Sequence, residues 1–274
     1  MKNKLGDISS SIFRHVLLCS ISLISVLPFY WMLNTALKGN TEVYRYPPSW
    51  FPETLRLDNF ITIFKNPLLL VYLRNSVFVS LIEALLTVLI CLLAAFGFYR
   101  FRFRGKNALM LLCLVVNFIP FEVVMAYNYQ TMIRAGLGDS LVVQLLPFLT
   151  NYFYVIVFYN AFRSIPETIY ISACVDGAST LHFLFRIAWK MIRPTVVFVF
   201  LLSFISSWNA FVWPSLIINS PMKRTLPFGI YSYMSELESR TELVMAMSCI
   251  MELPALAIFL SLQKYLLNGF RKVA

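Results

Sequence analysis

Six apolar stretches, each longer than about twenty residues, dominate the chain: Val16–Leu37, Val71–Phe98, Leu109–Met132, Leu141–Phe162, Thr195–Ile218 and Leu243–Leu267. About 20 helical residues cross a hydrocarbon core ~30 Å thick. Backbone in lipid must satisfy its own hydrogen bonds, and runs this long do so as helices, not as barrel strands. The expectation is therefore an all-α membrane protein with six transmembrane helices. Composition agrees, with 59% hydrophobic and 13% charged residues, where a soluble domain carries about 25% charged.

Lysine and arginine set the orientation. With the N-terminus in the cytoplasm, the inner segments hold Lys2, Lys4, Arg14, Arg100, Arg102, Arg104, Lys106, Arg163, Arg186, Lys190, Arg193, Lys264, Arg271 and Lys272, which are 14 of the 23 basic residues. The only acids on that side are Asp7, Glu167 and Asp176. The link "YRFRFRGK" is short, basic and free of acid, which marks it as cytoplasmic. Both termini are then inside. The net charge of +10 follows from this bias and calls for no nucleic acid partner. The basic start and first apolar run lack a small-x-small cleavage site, so they read as an uncleaved span rather than a secretory signal. Cys19, Cys91, Cys113, Cys174 and Cys249 have no metal-site spacing and read as small buried hydrophobes.

The longest inner segment, Arg163–Pro194, has legible physics. Pro166 can open a short helix from Glu167 to about Val175. Gly177 permits a turn at positive φ, and Asp176 can cap the next helix through the Ser179 N–H. In that helix Leu181, Leu184, Phe185, Ala188, Trp189 and Ile192 form an apolar face. His182, Arg186, Lys190 and Arg193 form the opposite row. Spacing alone leaves this row two uses, snorkelling to lipid phosphates or docking a cytosolic partner.

"IPETIYISACVDGASTLHFLFRIAWKMIRP" resembles the EAA loop of importer-type ABC permeases, P-x-E-L-x-E-A-A-x-x-D-G-A followed by a proline at a set distance. Pro166, Ile169, Ala173, Asp176, Gly177, Ala178, Ile187 and Pro194 fall on the family's positions. "SSWNAFVWPSLIINSPMKRTLP" is similar to the W-N-x-F-x-W-P segment and later Thr-Leu-Pro of the carbohydrate-uptake branch. "LPFYWMLNTALK" and "LPALAIFLSLQKYLLNGF" are similar to that branch's opening and close. The likeness runs from about Pro28 to Gly269 and points to a resemblance to the maltose-permease G-type subunit. The chain departs from the pattern where Ile171 stands for the family's Glu in E-A-A, Ser172 for the Ala after it, and Lys190 for a usual second proline.

The resemblance implies a type I importer permease fold whose cytoplasmic helix-turn-helix is the coupling loop, at about 163–194. Pro166, Ala173, Asp176, Gly177, Ala178 and Arg186 would then meet the ATP-hydrolysing subunit. It implies four partners besides membrane lipids: a homologous sister permease, two ATP-binding-cassette ATPase subunits and an extracytoplasmic solute-binding protein. This chain has no GxxxxGK[ST] loop and is expected to bind no cofactor or metal, ATP and magnesium belonging to the ATPase subunits. The organisation is a cytoplasmic N-terminus over 1–15, a six-span permease domain over 16–267 and a cytoplasmic tail over 268–274, in a bacterial cytoplasmic membrane.

Acids inside or at the edge of spans are costly and mark candidate sites. Glu83, Glu122 and Glu252 are the three. Glu122 follows Pro120 and Glu252 precedes Pro254, so either could satisfy backbone freed at a helix break, whereas Glu83 could bond the sister subunit. A sugar pathway needs flat apolar faces with amides and hydroxyls. "AYNYQ" offers Tyr127 and Asn128, "TNYFY" Asn151 and Tyr152, and "SSWNAF" Trp208 and Asn209, although such residues also serve as interfacial belts and helix glue. In the maltose system the sister subunit supplies most of the sugar contacts. An importer of a polyol or glycerol phosphodiester is the nearest alternative. A proton-coupled carrier would work through Glu83 or Glu122. A membrane enzyme would need a constellation that His15 and His182 do not form.

Overall fold

A computed structural model describes residues 2–236 and 240–271. Residues 237–239 of the outer segment and 272–274 of the expected tail, Lys272 among them, lie outside the described residues. Every regular element among the described residues is helical. In chain order they are α1 (Lys2–Ala36), α2 (Asn40–Val43), α3 (Asp58–Phe64), α4 (Pro67–Arg100), α5 (Lys106–Asn117), α6 (Phe121–Arg134), α7 (Leu141–Leu145) and α8 (Tyr152–Arg163), with a 3-10 turn over Leu146–Phe148. There follow α9 (Glu167–Val175), α10 (Thr180–His182), a π-helical turn over Phe183–Ala188, α11 (Trp189–Met191), α12 (Arg193–Trp208), α13 (Val212–Ile217), a 3-10 turn over Pro221–Lys223, α14 (Leu226–Glu236) and α15 (Thr241–Arg271).

Three helices are long and apolar enough to cross a membrane unbroken: Ser11–Ala36, Pro67–Arg100 and Thr241–Lys264. The other three expected spans are not straight rods. α5 and α6 meet at 93°, with Pro120 at the N-cap of α6. Leu141–Phe148 and α8 meet at 57°, with Pro147 in the 3-10 turn before the break. The fifth span ends at Trp208, and the chain restarts as α13 with Pro214 in its first turn, where a proline forfeits no helical bond. By contrast Pro254 lies inside α15 without ending it.

The chain forms two compact units, Met1–Pro67 with Ile230–Glu252, and Leu68–Gly229 with Leu253–Ala274. In the first, the apolar stretch of α1 is uncovered by its own chain. Beyond it, Asn59 Nδ2 donates to the Ala36 and Lys38 carbonyls at 2.8 and 2.9 Å. Lys38 Nζ donates to Ser49 O at 2.5 Å and lies over the Trp31 ring. Glu42 accepts from Ser49 Oγ and Glu53 N. The Pro- and aromatic-rich "YRYPPSWFP" loop is therefore pinned by hydrogen bonds. Buried Glu242 accepts from Asn40 and Arg240.

The second unit is organised on α4. Asn75, Ser76, Ser80, Glu83, Thr87 and Cys91 are all buried, and from Ser76 onward they recur every three or four residues on one stripe. Most of these side chains answer a backbone group on a broken element. Asn75 Nδ2 donates to Met222 O and Arg224 O at 2.9 and 3.0 Å. Ser76 Oγ accepts the Leu226 N–H at 2.6 Å. Thr87 Oγ1 reaches Phe148 O and Cys91 Sγ reaches Asn151 O, on either side of the second break. Broken helices persist in lipid when neighbours satisfy the freed groups in this way. Near the start of α4, Gly229 packs on the Tyr72 ring, where a Cβ would sit 2.2 Å from Cδ2.

At the far end of α4 the packing is apolar and aromatic. Phe96, Phe158, Phe162, Phe183, Leu184 and Ala188 lie in one cluster with α8, α9 and the π turn. The expected apolar face of the helix after Gly177 is corrected here. Phe183, Leu184, Ala188 and Ile192 are buried, while Leu181 and Phe185 are exposed. A π turn carries more residues per turn than an α-helix, so the face rotates and brings in Phe183. The cysteines also differ from expectation: Cys91 is buried, but Cys19 and Cys174 are exposed, and all five are free thiols.

Candidate functional site

Two places in the second unit combine polar chemistry with accessible space. The first is the helix pair around Gly177. α9 ends at Asp176, the Gly177 φ is +77°, Gly177 N–H donates to Cys174 O at 3.1 Å, and Ala178 N–H donates to Ala173 O at 2.9 Å. This is a Schellman ending, in which glycine takes the left-handed position and two otherwise unpaired carbonyls are satisfied. The next helix is capped by Ser179, whose Oγ accepts the His182 N–H, and not by Asp176. Asp176 is the C-cap of the preceding helix, so the capping role falls three residues further on.

Ala173 is buried, Ala178 half-buried, and Pro166, Asp176, Gly177 and Arg186 are exposed. A shallow cleft of about 320 Å³ between the two helices is lined by Thr168, Ile169, Ser172, Ala173, Asp176 and Ile187. His182, Arg186, Lys190 and Arg193 are all exposed. The pair is tied to α4 through Tyr170, which lies under the Arg100 guanidinium at 3.6 Å and edge-on to Phe183 at 4.8 Å. The sequence reading missed this sandwich. Phe183 comes from the π turn and also stacks on Phe96 of α4.

The second place is a cavity of about 740 Å³ walled by α4, α5, α6, α8 and α12. Of the residues anticipated for a pathway, it gathers Asn128, Asn151 and Tyr152, and it adds Tyr154, Ser203 and Ser206. Asn151 is also the N-cap of α8, its Oδ1 accepting the Phe153 N–H at 2.9 Å. The structure does not bring Tyr127, Trp208 or Asn209 to this cavity. Tyr127 is exposed on α6, Trp208 is buried and stacked on Phe204 at 5.7 Å, and Asn209 is the exposed C-cap of α12.

Of the three acids, Glu83 lines the cavity, is only 4% exposed and accepts from Ser207 Oγ at 2.7 Å. Its partner is within its own chain, 124 residues away. Glu122 is exposed in the first turn of α6, where a carboxylate suits the helix dipole. Glu252 is exposed on an unbroken helix, so no break exists there for it to satisfy. Among the described residues no group of three His, Cys, Asp or Glu side chains could hold a metal ion.

A third polar cluster, outside the expected spans, involves Asp139, which adopts φ +51°. Its Oδ1 accepts the Asn219 and Ser220 N–H groups at 3.0 Å each, and Lys223 Nζ lies 3.2 Å from Oδ2. Partial burial pushes its carboxyl up, but Ser220, Lys223 and Asn219 together outweigh that and hold it at about 2. Trp213 Nε1 donates to Val143 O at 2.9 Å, and Gln144 Nε2 to Lys223 O at 3.1 Å. The segment after Asn209 is thus fastened at several points.

Comparison with known proteins gives three consistent results. Residues 87–272 match the family described as "Binding-protein-dependent transport system inner membrane component". The chain is 27% identical over 252 residues to the arabinooligosaccharides transport system permease protein AraQ of Halalkalibacterium halodurans, covering 91% of this chain and 90% of AraQ. It is 25% identical over 269 residues to the lactose transport system permease protein LacG of Rhizobium radiobacter, covering 98% and 96%. Its fold superposes with a TM-score of 0.82 on a chain of a bacterial ABC transporter involved in the import of the acidic polysaccharide alginate, at 20% identity and with 95% and 97% of the two chains covered.

Proposed function

Because this chain belongs to the family of binding-protein-dependent transport system inner membrane components, we propose that it is one of two permease subunits of an ATP-driven carbohydrate importer. Membership makes it an inner-membrane transport subunit of an ABC importer, not an enzyme, and one that works with a solute-binding protein. The observation that carries the sugar assignment is the likeness to sugar permeases over nine-tenths or more of each chain. In this reading the sister permease covers the bare apolar face of α1. Two ATPase subunits, holding ATP and magnesium, seat the Gly177 helix pair.

Pro166, Ala173, Asp176, Gly177, Ala178 and Arg186 form or support the docking face, with both termini and the 163–194 loop in the cytoplasm. Where the family's acid is replaced, exposed Ile171 and its neighbour Val175 supply an apolar contact. Asn128, Asn151, Tyr152 and Glu83 line the solute path. Trp208 supports it from behind, and Tyr127 and Asn209 flank it. ATPase closure pushes the helix pair, and the Arg100–Tyr170–Phe183 stack passes the push to α4 and α12. Alternating access follows from that movement.

The test joins assembly to substrate. ATPase subunits should co-purify with this chain, and the solute-binding protein encoded with it should be stabilised thermally by an oligosaccharide in a panel that includes polyols and glycerol phosphodiesters. Deleting the gene should abolish uptake of that sugar. Stabilisation by a polyol or phosphodiester alone would replace the sugar assignment, and purification without any ATPase would refute the coupling assignment.

A further inference from the structure

The cavity of about 740 Å³ has a one-sided charge. Among the described residues its lining contains no lysine, arginine or histidine, and its single acid is Glu83. Asn128, Asn151, Tyr152, Tyr154 and Ser203 supply the uncharged amides and hydroxyls around it. Glu83 is held in place by the Ser207 hydroxyl on Oε2, and the described residues give Oε1 no hydrogen-bond donor. A carboxyl oxygen at a cavity wall accepts strongly from a solute hydroxyl. A solute carboxylate or phosphate would meet no counter-charge from this chain's lining and would lie beside an acid.

From this arrangement we infer that the cavity admits neutral polyhydroxylated solutes and rejects anionic ones, with Glu83 as the residue that reads solute hydroxyls and sets the discrimination. The inference rests on the sugar-importer reading and narrows it to neutral sugars, unlike the acidic polysaccharide named for the alginate importer. The flat faces of Tyr152, Tyr154 and Phe148 suit the C–H surfaces of a pyranose or furanose ring. Ser207 is a positioning residue, since it acts only through Glu83.

The experiment uses the whole importer complex in lipid nanodiscs, without the binding protein, so that prior selection does not mask the cavity. Saturation-transfer NMR reads weak binding of a neutral panel (lactose, arabinobiose, maltose and cellobiose) and of digalacturonate. The parent should bind at least one neutral sugar, and digalacturonate about tenfold or more weakly. E83A should weaken the neutral sugar about tenfold, the loss of one hydrogen bond. E83Q keeps the shape and an acceptor, so it should hold the neutral sugar within about threefold while narrowing the discrimination against digalacturonate, a change that a purely structural role for Glu83 would not produce. Digalacturonate binding to the parent as well as the neutral sugars would overturn the inference and leave the importer reading intact. So would E83A and E83Q complexes that bind every probe as the parent does. No transfer from any sugar would overturn the sugar reading and this inference together.

Discussion

Replacing Gly177 with asparagine, alanine and valine in turn separates conformational strain at the turn from crowding against a partner. The backbone here is left-handed, at φ +77°, and two Schellman bonds of 2.9 and 3.1 Å depend on it. A left-handed conformation costs a non-glycine residue about 1–2 kcal/mol, with asparagine penalised least and β-branched valine most. A shift of that size changes the population of the native turn about 5- to 30-fold. Apart from its two chain neighbours, no described residue places an atom within 4 Å of a Cβ built at Gly177, so their packing adds no steric term. If strain alone matters, function falls in the order Gly, Asn, Ala, Val. If an ATPase cleft presses on the turn, asparagine falls below alanine because it is larger. In either case Gly177→Val should abolish uptake, with normal insertion, since no span is touched. Asp176→Ala should retain partial uptake, because Ser179 and not Asp176 caps the following helix. The assays are uptake and pull-down of the ATPase subunits from membranes holding equal amounts of each variant. A valine variant that transports like the parent would refute the coupling role of the turn.

Three further outcomes are expected. Tyr170→Phe should transport like the parent because it keeps the ring under Arg100, whereas Tyr170→Ala should lower uptake, the lost cation–π contact being worth about 1–2 kcal/mol. Equal uptake by both variants would remove the sandwich from the coupling path. Asp139→Asn should lower the melting temperature of the purified complex at pH 7 by the equivalent of about 1–2 kcal/mol, given its partial exposure. The folded carboxyl lies near 2, below the ordinary 3.8. Its contribution is therefore complete above about pH 4 and lost as pH falls toward 2, so parent and variant should converge on acidification, and a constant gap would contradict this. In a cysteine-free background, an impermeant thiol reagent applied from outside should label Met222→Cys but not Arg102→Cys. Labelling at position 102 would overturn the orientation.

The number and type of the spans were legible in the sequence, because hydropathy over twenty residues is a local property. A break at Pro120 was legible as well, but the one after Pro147 was not. Pro120 and Pro147 sit inside apolar runs, and the side chains that make the second break tolerable, Thr87 and Cys91, lie about sixty residues away. The partner of Glu83 is farther still, 124 residues along the chain. At the Gly177 turn, the positive φ and the extent of α9 followed from residue type alone, but the cap did not. Asp176 and Ser179 are both good capping residues, and only the Schellman bonds decide which end each one serves. The buried face of the next helix was misread for a similar reason, since an ideal 3.6-residue period cannot anticipate a π turn, here the one that packs Phe183 on Phe96 and Tyr170. The cavity was half legible. Asn128, Asn151 and Tyr152 stood out as polar aromatic clusters, while Ser203 and Ser206 look like ordinary small residues of a packed helix.

The two ends of α4 are held by forces of different character. Asn75 and Arg100 lie roughly 37 Å apart along the helix axis. At Asn75 and Ser76 the fastening is a set of short hydrogen bonds to the 222–226 segment, which weaken steeply when misaligned. At Arg100 it is ring on ring and cation on ring, contacts that accept a range of offsets and tilts. In mechanical terms the helix has a fixed bearing at one end and a sliding bearing at the other. A thrust on the Gly177 pair would shear rings past one another and leave the hydrogen-bonded end intact, so α4 would swing about Asn75. The largest displacement would then fall beside Arg100, and the wall that carries Glu83, partway along, would move by an intermediate amount.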